Sequence, residues 1–188
     1  MARGQGARLS RADWVTAAVG ALHAGGLAAV AVEPLAARLG ATKGSFYWHF
    51  RDREDLVAAA LAHWEQEGTD DVTAALDASP DPARRLRMLA EATIAQDHRP
   101  DLSVVLLPDA AHPLVAAALE RVTRRRMAYL TEQFRALGLP EEEASARSLL
   151  AYTAFLGHSQ LRHHLPAAVD TTATAAYLAV LERALLHG

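Results

Sequence analysis

The sequence predicts an all-α protein: a small N-terminal three-helix domain on a larger helical body, about nine helices in all. Three observations predict it. Forty-two of the 188 residues are alanine, the strongest helix former. Apolar residues recur at three- and four-residue spacing along most of the chain. Glycine and proline break that rhythm at the intervals of helical hairpins, and no two apolar runs pair as strands.

Each element has its own signal. Residues 1–9 read as an arm. Ser10 with Asp13 marks a helix start close to a capping box, and Trp14, Val15, Ala18, Val19 and Leu22 form its apolar face until Gly25-Gly26. Pro34 suits a first helical turn, so a short second helix carries Leu35, Ala36 and Leu39 and ends at Gly40. After Ala41-Thr42 a third helix spans about 43–49. Asp52 caps a fourth, from 53 to about 67, with Leu56, Ala60 and Trp64 on one face. Residues 68–82, ending Ser79-Pro80-Asp81-Pro82, read as a linker. A fifth helix follows over about 83–98, then a short one at 102–107. Three long helices close the chain over about 114–137, 141–164 and 171–186. The glutamates opening the second of these suit the helix dipole.

Composition narrows the function classes. There is no cysteine, so disulfides, thiolate metal sites and cysteine nucleophiles are excluded. No run of about 18 apolar residues predicts a membrane span, and no apolar stretch follows the N-terminal arginines as a secretory signal would require. A cytoplasmic location without membrane association is the expectation. The net charge is −3, but it is unevenly placed. Residues 1–53 hold seven basic and three acidic side chains, net +4, and the remainder is net −7. A basic head on an acidic body suggests a polyanionic partner for the head.

Residues 32–53, VEPLAARLGATKGSFYWHFRDR, carry the function. A short helix, a tight turn after a glycine and a second short helix make a helix-turn-helix, whose second helix presents its N-terminal residues to base edges in the major groove. Lys43, the chain's only lysine, suits guanine or phosphate. Gly44 permits close approach to the groove, and Ser45 shares that first turn. Tyr47 and His49 suit phosphate oxygens. Phe46 and Phe50, four residues apart, face inward, and Trp48 is expected to pack.

The segment GATKGSFYWHFRDREDLVAAAL (residues 40–61) closely resembles the DNA-binding domain of the TetR family of bacterial transcriptional regulators. The glycine turn at Gly40, Tyr47, the YWHF run at 47–50 and Leu56 carry the likeness, and the first helix fits the family's opening. The resemblance spans about residues 10–60. It implies DNA contacts by Thr42, Lys43, Gly44, Ser45, Tyr47, His49 and Arg53, with Thr42 also capping the helix and Arg53 reaching phosphate. One departure stands out. Ala31 occupies a position where the family commonly has a capping Ser or Thr, and Glu33 beside it would repel phosphate.

The resemblance further implies a DNA-binding head (1–53) and an effector-binding, dimerising body (54–188). It implies a homodimer formed by the last two helices of each subunit, a palindromic double-stranded operator, and release of a repressor by a small molecule. No cofactor is called for. Candidate effector contacts are Trp64, Gln96, Tyr129, Phe134, Tyr152, Phe155 and His158. Arg124-Arg125-Arg126 reads as a solvated helix face with helical ion pairs. The histidines lack the paired Glu-x-x-His of a dimetal bundle, and no serine has a nucleophile-elbow context, so neither a metal centre nor an enzyme is expected. The competing class is an effector-free architectural DNA binder or a helical protein-interaction module.

Overall fold

The computed structural model describes residues 9–95, 100–166, 169 and 171–186; residues 1–8 of the N-terminal arm lie outside them. Among these residues the chain is helical throughout, without a strand. Helix α1 (Arg11–Gly25) begins with the capping box: the Ser10 hydroxyl accepts from the Asp13 amide, and the Ser10 amide donates to the Asp13 carboxylate at 2.7 Å. Helices α2 (Val32–Arg38) and α3 (Lys43–Tyr47) form the helix-turn-helix. Ala31 caps α2 without a side-chain hydrogen bond, as its missing hydroxyl dictates.

The turn after α1 depends on Gly26, at φ +62° and ψ −158°, a region nearly closed to residues with a Cβ. The following amide, Leu27, donates to the Asp109 carboxylate at 2.7 Å, tying the head to the body. A Cβ on Gly26 would lie 2.7 Å from that same carboxylate oxygen. Gly26→Ala is therefore expected to cost about 1–3 kcal/mol, measured as a shift in the urea midpoint.

Helix α4 (Arg53–Glu65) leaves the head and passes through a π turn (Gln66–Asp70) into α5 (Asp71–Leu76). The linker expected over 68–82 is thus helical for most of its length. Gly68 serves close packing, not a chain break: a Cβ there would lie 3.2 Å from the Trp64 ring and 3.4 Å from the Arg126 guanidinium. The true break is 77–81, where Asp81 caps α6 (Pro82–Ala90) by accepting from the Ala83 amide. A second π turn, Glu91–Ala95, extends α6. Next come the short α7 (Leu102–Val105), α8 (Pro113–Ala136), α9 (Glu141–His164) and α10 (Thr171–Leu186). Counting α4, its π turn and α5 as one rod, the described residues make nine helices.

Two apolar clusters hold these elements. The first centres on Trp14, Leu22, Phe46, Phe50, Leu56 and Leu61 and runs without interruption into Leu102, Leu106, Val115 and Val122 of α7 and α8. Helix α4 packs on both α1 and α8, so it is the shared wall of head and body. The second cluster joins Leu86, Ile94, Leu130, Phe134, Tyr152 and Leu181 where α6, α8, α9 and α10 meet. Helices α8 and α9 form the most extensive contact.

Candidate functional site

Helix α3 has five residues, too few to be stable alone, so its position comes from its inward face. Phe46 is fully buried, edge-on to Trp14 at 5.4 Å and stacked on Phe50 at 5.5 Å. Thr42 caps the helix by accepting from the Ser45 amide at 3.2 Å. Lys43, Gly44 and Tyr47 are exposed, and Ser45 is half-buried. Trp48 does not pack inward: it is 78% exposed. Helical spacing could have revealed this, because position 48 lies across the axis from Phe46 and Phe50.

Two expected contacts are turned toward the protein. Arg53 donates from Nε to the Val30 carbonyl and from Nη2 to the Leu27 carbonyl, both at 2.6 Å, and pairs through Nη1 with Glu54. It anchors the loop between α1 and α2 to α4. His49 is half-buried, its Nε2 donating to the Leu9 carbonyl at 3.0 Å, and so holds the end of α3 to the start of α1.

Glu33 does not stand alone at the start of α2. Its carboxylate pairs with Lys43 at 2.9 Å. The hydrogen bond and charge of each partner hold the Lys43 ammonium above, and the Glu33 carboxyl below, its ordinary range. A Lys43 that contacts DNA must first release Glu33. Glu33→Gln is expected to tighten duplex binding roughly two- to fivefold, the scale of an exposed ion pair. Titrations of labelled duplex check it, and weaker binding by the variant would contradict the competition.

The body holds a partly open cavity of about 390 Å³, within the range of small-molecule sites (roughly 300–1,000 Å³). Both π turns contribute to its wall, a feature frequent at functional sites. Of the expected effector contacts, Trp64, Tyr129, Tyr152 and Phe155 line it. Phe134 does not: it is fully buried in the second core, one turn beyond Leu130, which does line the cavity. His158 lies in a separate groove between α9 and α10, stacked on Tyr177 at 5.4 Å. Burial, aided by the charge of Arg162, lowers its pKa. Gln96 lies outside the described residues.

The cavity's polar edge is Arg126 with Asp101. Their guanidinium and carboxylate pair through two contacts of 3.1 and 3.2 Å. Burial pushes the Asp101 carboxyl up, but the charge and hydrogen bonds of Arg126, with bonds from Ser103, hold it below the ordinary range. Tyr129 donates to Asp77 at 3.1 Å; burial first, then that bond, pushes its pKa up to about 12. The arginine triplet is therefore not one solvated face. Arg124 pairs with Glu120 one turn back, but Arg125 reaches Glu65 and Asp70, and Arg126 is nearly buried. The signal was present in the sequence: Arg126 has Val122 and Leu130 at i−4 and i+4, which puts it on the inward face.

Among the described residues, no cluster of three His, Asp or Glu side chains could hold a metal, and no helix is long and apolar enough to cross a membrane.

A helix-turn-helix displayed at one end of an all-helical body defines a DNA-binding regulator. Residues 15–60 match the model of the bacterial regulatory proteins of the tetR family. The whole fold is shared with solved structures. A TetR-family transcriptional regulator from Agrobacterium tumefaciens superposes with a TM-score of 0.77 at 18% identity, over 92% of this chain and 95% of that one. Reduced NemR from E. coli superposes at 0.76 and 17% identity, over 91% and 94%. FadR from Bacillus subtilis, in complex with stearoyl-CoA, superposes at 0.68 and 15% identity, over 95% and 100%. No protein of curated function matches in sequence. The head is thus a TetR-family DNA-binding domain, and the chain has the fold of that family's transcriptional regulators.

Proposed function

We propose that this protein is a ligand-responsive repressor that binds a palindromic operator as a homodimer in the cytoplasm. Residues 1–53 serve as the DNA-binding head and 54–188 as the effector-binding, dimerising body. The observation that carries the reading is α4: one helix packs against α1 in the head and supplies Trp64 to the wall of the body cavity. A guest that prefers one placement of that wall shifts the population of head positions. FadR, of the same fold, holds a small molecule, which supports an effector role for the cavity. The DNA surface of this reading is Thr42, Lys43, Gly44, Ser45 and Tyr47, joined by Trp48, while His49 and Arg53 position it.

An unpartnered apolar stripe supports the homodimer. Leu150 and Leu161 on α9 and Val180 on α10 are each about half exposed, and Gly157 between the leucines allows close helix approach. Leu161→Glu together with Val180→Glu is expected to halve the mass in solution and reduce operator binding to the level of random duplex. A dimer that survives both changes would place the interface elsewhere.

The DNA-binding reading is tested by titrating labelled duplex from about 50 to 200 mM salt. Affinity falls with salt, and Lys43→Ala lowers the logarithmic slope by about one. Absence of binding to double-stranded DNA at the lowest salt would overturn the reading.

A further inference from the structure

The charges on the cavity wall show which guests fit. Arg126 is the wall's buried cation, and every hydrogen-bonding direction of its guanidinium is taken. Nε donates to the Thr69 hydroxyl, Nη1 to Asp101 and Ser103, and Nη2 to the Gly68 carbonyl and Asp101, at distances from 2.9 to 3.4 Å. An anionic guest finds no free donor there and meets the Asp101 carboxylate. A cationic guest fares no better. The guanidinium already lies over the Trp64 and Phe155 rings, 5.8 and 5.6 Å from their centroids. Those aromatic faces, which would otherwise attract a cation, are held by a like charge. Glu67, the other carboxylate on the wall, is mostly exposed and pairs with His63 at 3.2 Å.

Three of the neutral polar groups spend their protons on the protein itself. Thr93 donates to the Leu89 carbonyl, Thr73 to the Asp70 carbonyl and Tyr129 to Asp77. Their protons are committed, so each offers a guest an acceptor only. The Thr69 hydroxyl accepts from Arg126 and can still donate, the Tyr152 hydroxyl shares a hydrogen bond with Thr123, and apart from these and His23 the rest of the wall is apolar or aromatic.

From this pattern we infer that the effector is an uncharged, largely apolar molecule. The inference rests on the reading of the cavity as an effector site and names the chemistry of its guest.

Two fluorescent probes with one skeleton test it. N-phenyl-1-naphthylamine is uncharged with a single N–H; 8-anilinonaphthalene-1-sulfonate adds one negative charge. The uncharged probe is expected to bind at least about tenfold more tightly, since an unpaired charge entering an apolar site bears a large desolvation cost. Leu89→Trp and Ala151→Phe, each filling the cavity from a different helix, are expected to weaken the uncharged probe by a similar factor, with helical content checked by circular dichroism. Equal or tighter binding of the sulfonate, lost in the same variants, would overturn the assigned ligand class and leave the cavity as a ligand site. Uncharged-probe binding that survives both filled variants, or no binding of either probe, would remove the cavity from the account altogether. Failure of the wild-type protein to bind duplex DNA, measured separately, bears on the repressor reading alone.

Discussion

Phe46→Ala is expected to abolish duplex binding while leaving the body helical. The ring is fully buried between Trp14 and Phe50, and truncating such a phenylalanine costs about 3–5 kcal/mol. Helix α3 has no other large inward side chain within its own five residues. Its exposed face, Lys43, Gly44 and Tyr47, loses its fixed placement when that anchor goes. Only about 1.4 kcal/mol is needed for each tenfold of affinity, so a loss of at least roughly a hundredfold is expected. Anisotropy titrations with labelled duplex give the affinity, and circular dichroism gives the helical content. Unchanged affinity would mean that α3 is not the element presented to DNA.

Asp101→Asn is expected to destabilise the body by roughly 2–4 kcal/mol, because it leaves the Arg126 charge largely buried without its partner. For a chain of this length the melting temperature should fall by on the order of 10 °C. The pH dependence carries a sign. The folded Asp101 carboxyl has its pKa depressed below 3.8, because Arg126 and Ser103 outweigh the effect of burial. Its contribution is therefore fully present above the unfolded value and is lost as the pH falls through the folded one. The stability gap between wild type and variant should be wide at pH 7, persist near pH 4, and close at lower pH. The same variant leaves a guanidinium unmatched beside the cavity, so the sulfonate probe is expected to gain affinity. A gap independent of pH would show that the pair does not stabilise the fold through its charges.

Local chemistry was legible in the sequence and distant contact was not. The bounds of α9 and α10 follow from Gly138-Leu139-Pro140, the glutamate run and the alanine-rich stripes, all of which act within one or two turns. The capping box at Ser10 and the Thr42 cap are also local. The helix-turn-helix was legible because its turn, aromatics and following helix occur in one stretch. Gly68 misled because its reason lies 58 residues away, at Arg126. Arg126 in turn depends on Asp101, which a sequence reading leaves in a proline-marked break. The inward turn of Arg53 depends on carbonyls 23 and 26 residues earlier. Four of seven effector candidates reached the cavity wall because aromatic residues on α4, α8 and α9 do face it. Phe134 has the same chemistry but lies one turn further along α8 than the cavity-lining Leu130, and composition cannot separate the two.

The central claim is that the exposed face of α3 reads base sequence as part of a two-fold symmetric dimer. Selection of bound sites from random double-stranded DNA by the purified full chain, at about 150 mM salt where non-specific binding is weak, tests it most directly. A palindrome whose half-sites lie about one helical turn, or a multiple of it, apart is expected to be enriched. Recovery of unenriched sequence, repeated at lower salt, would contradict the claim and leave a DNA-binding fold that does not read sequence.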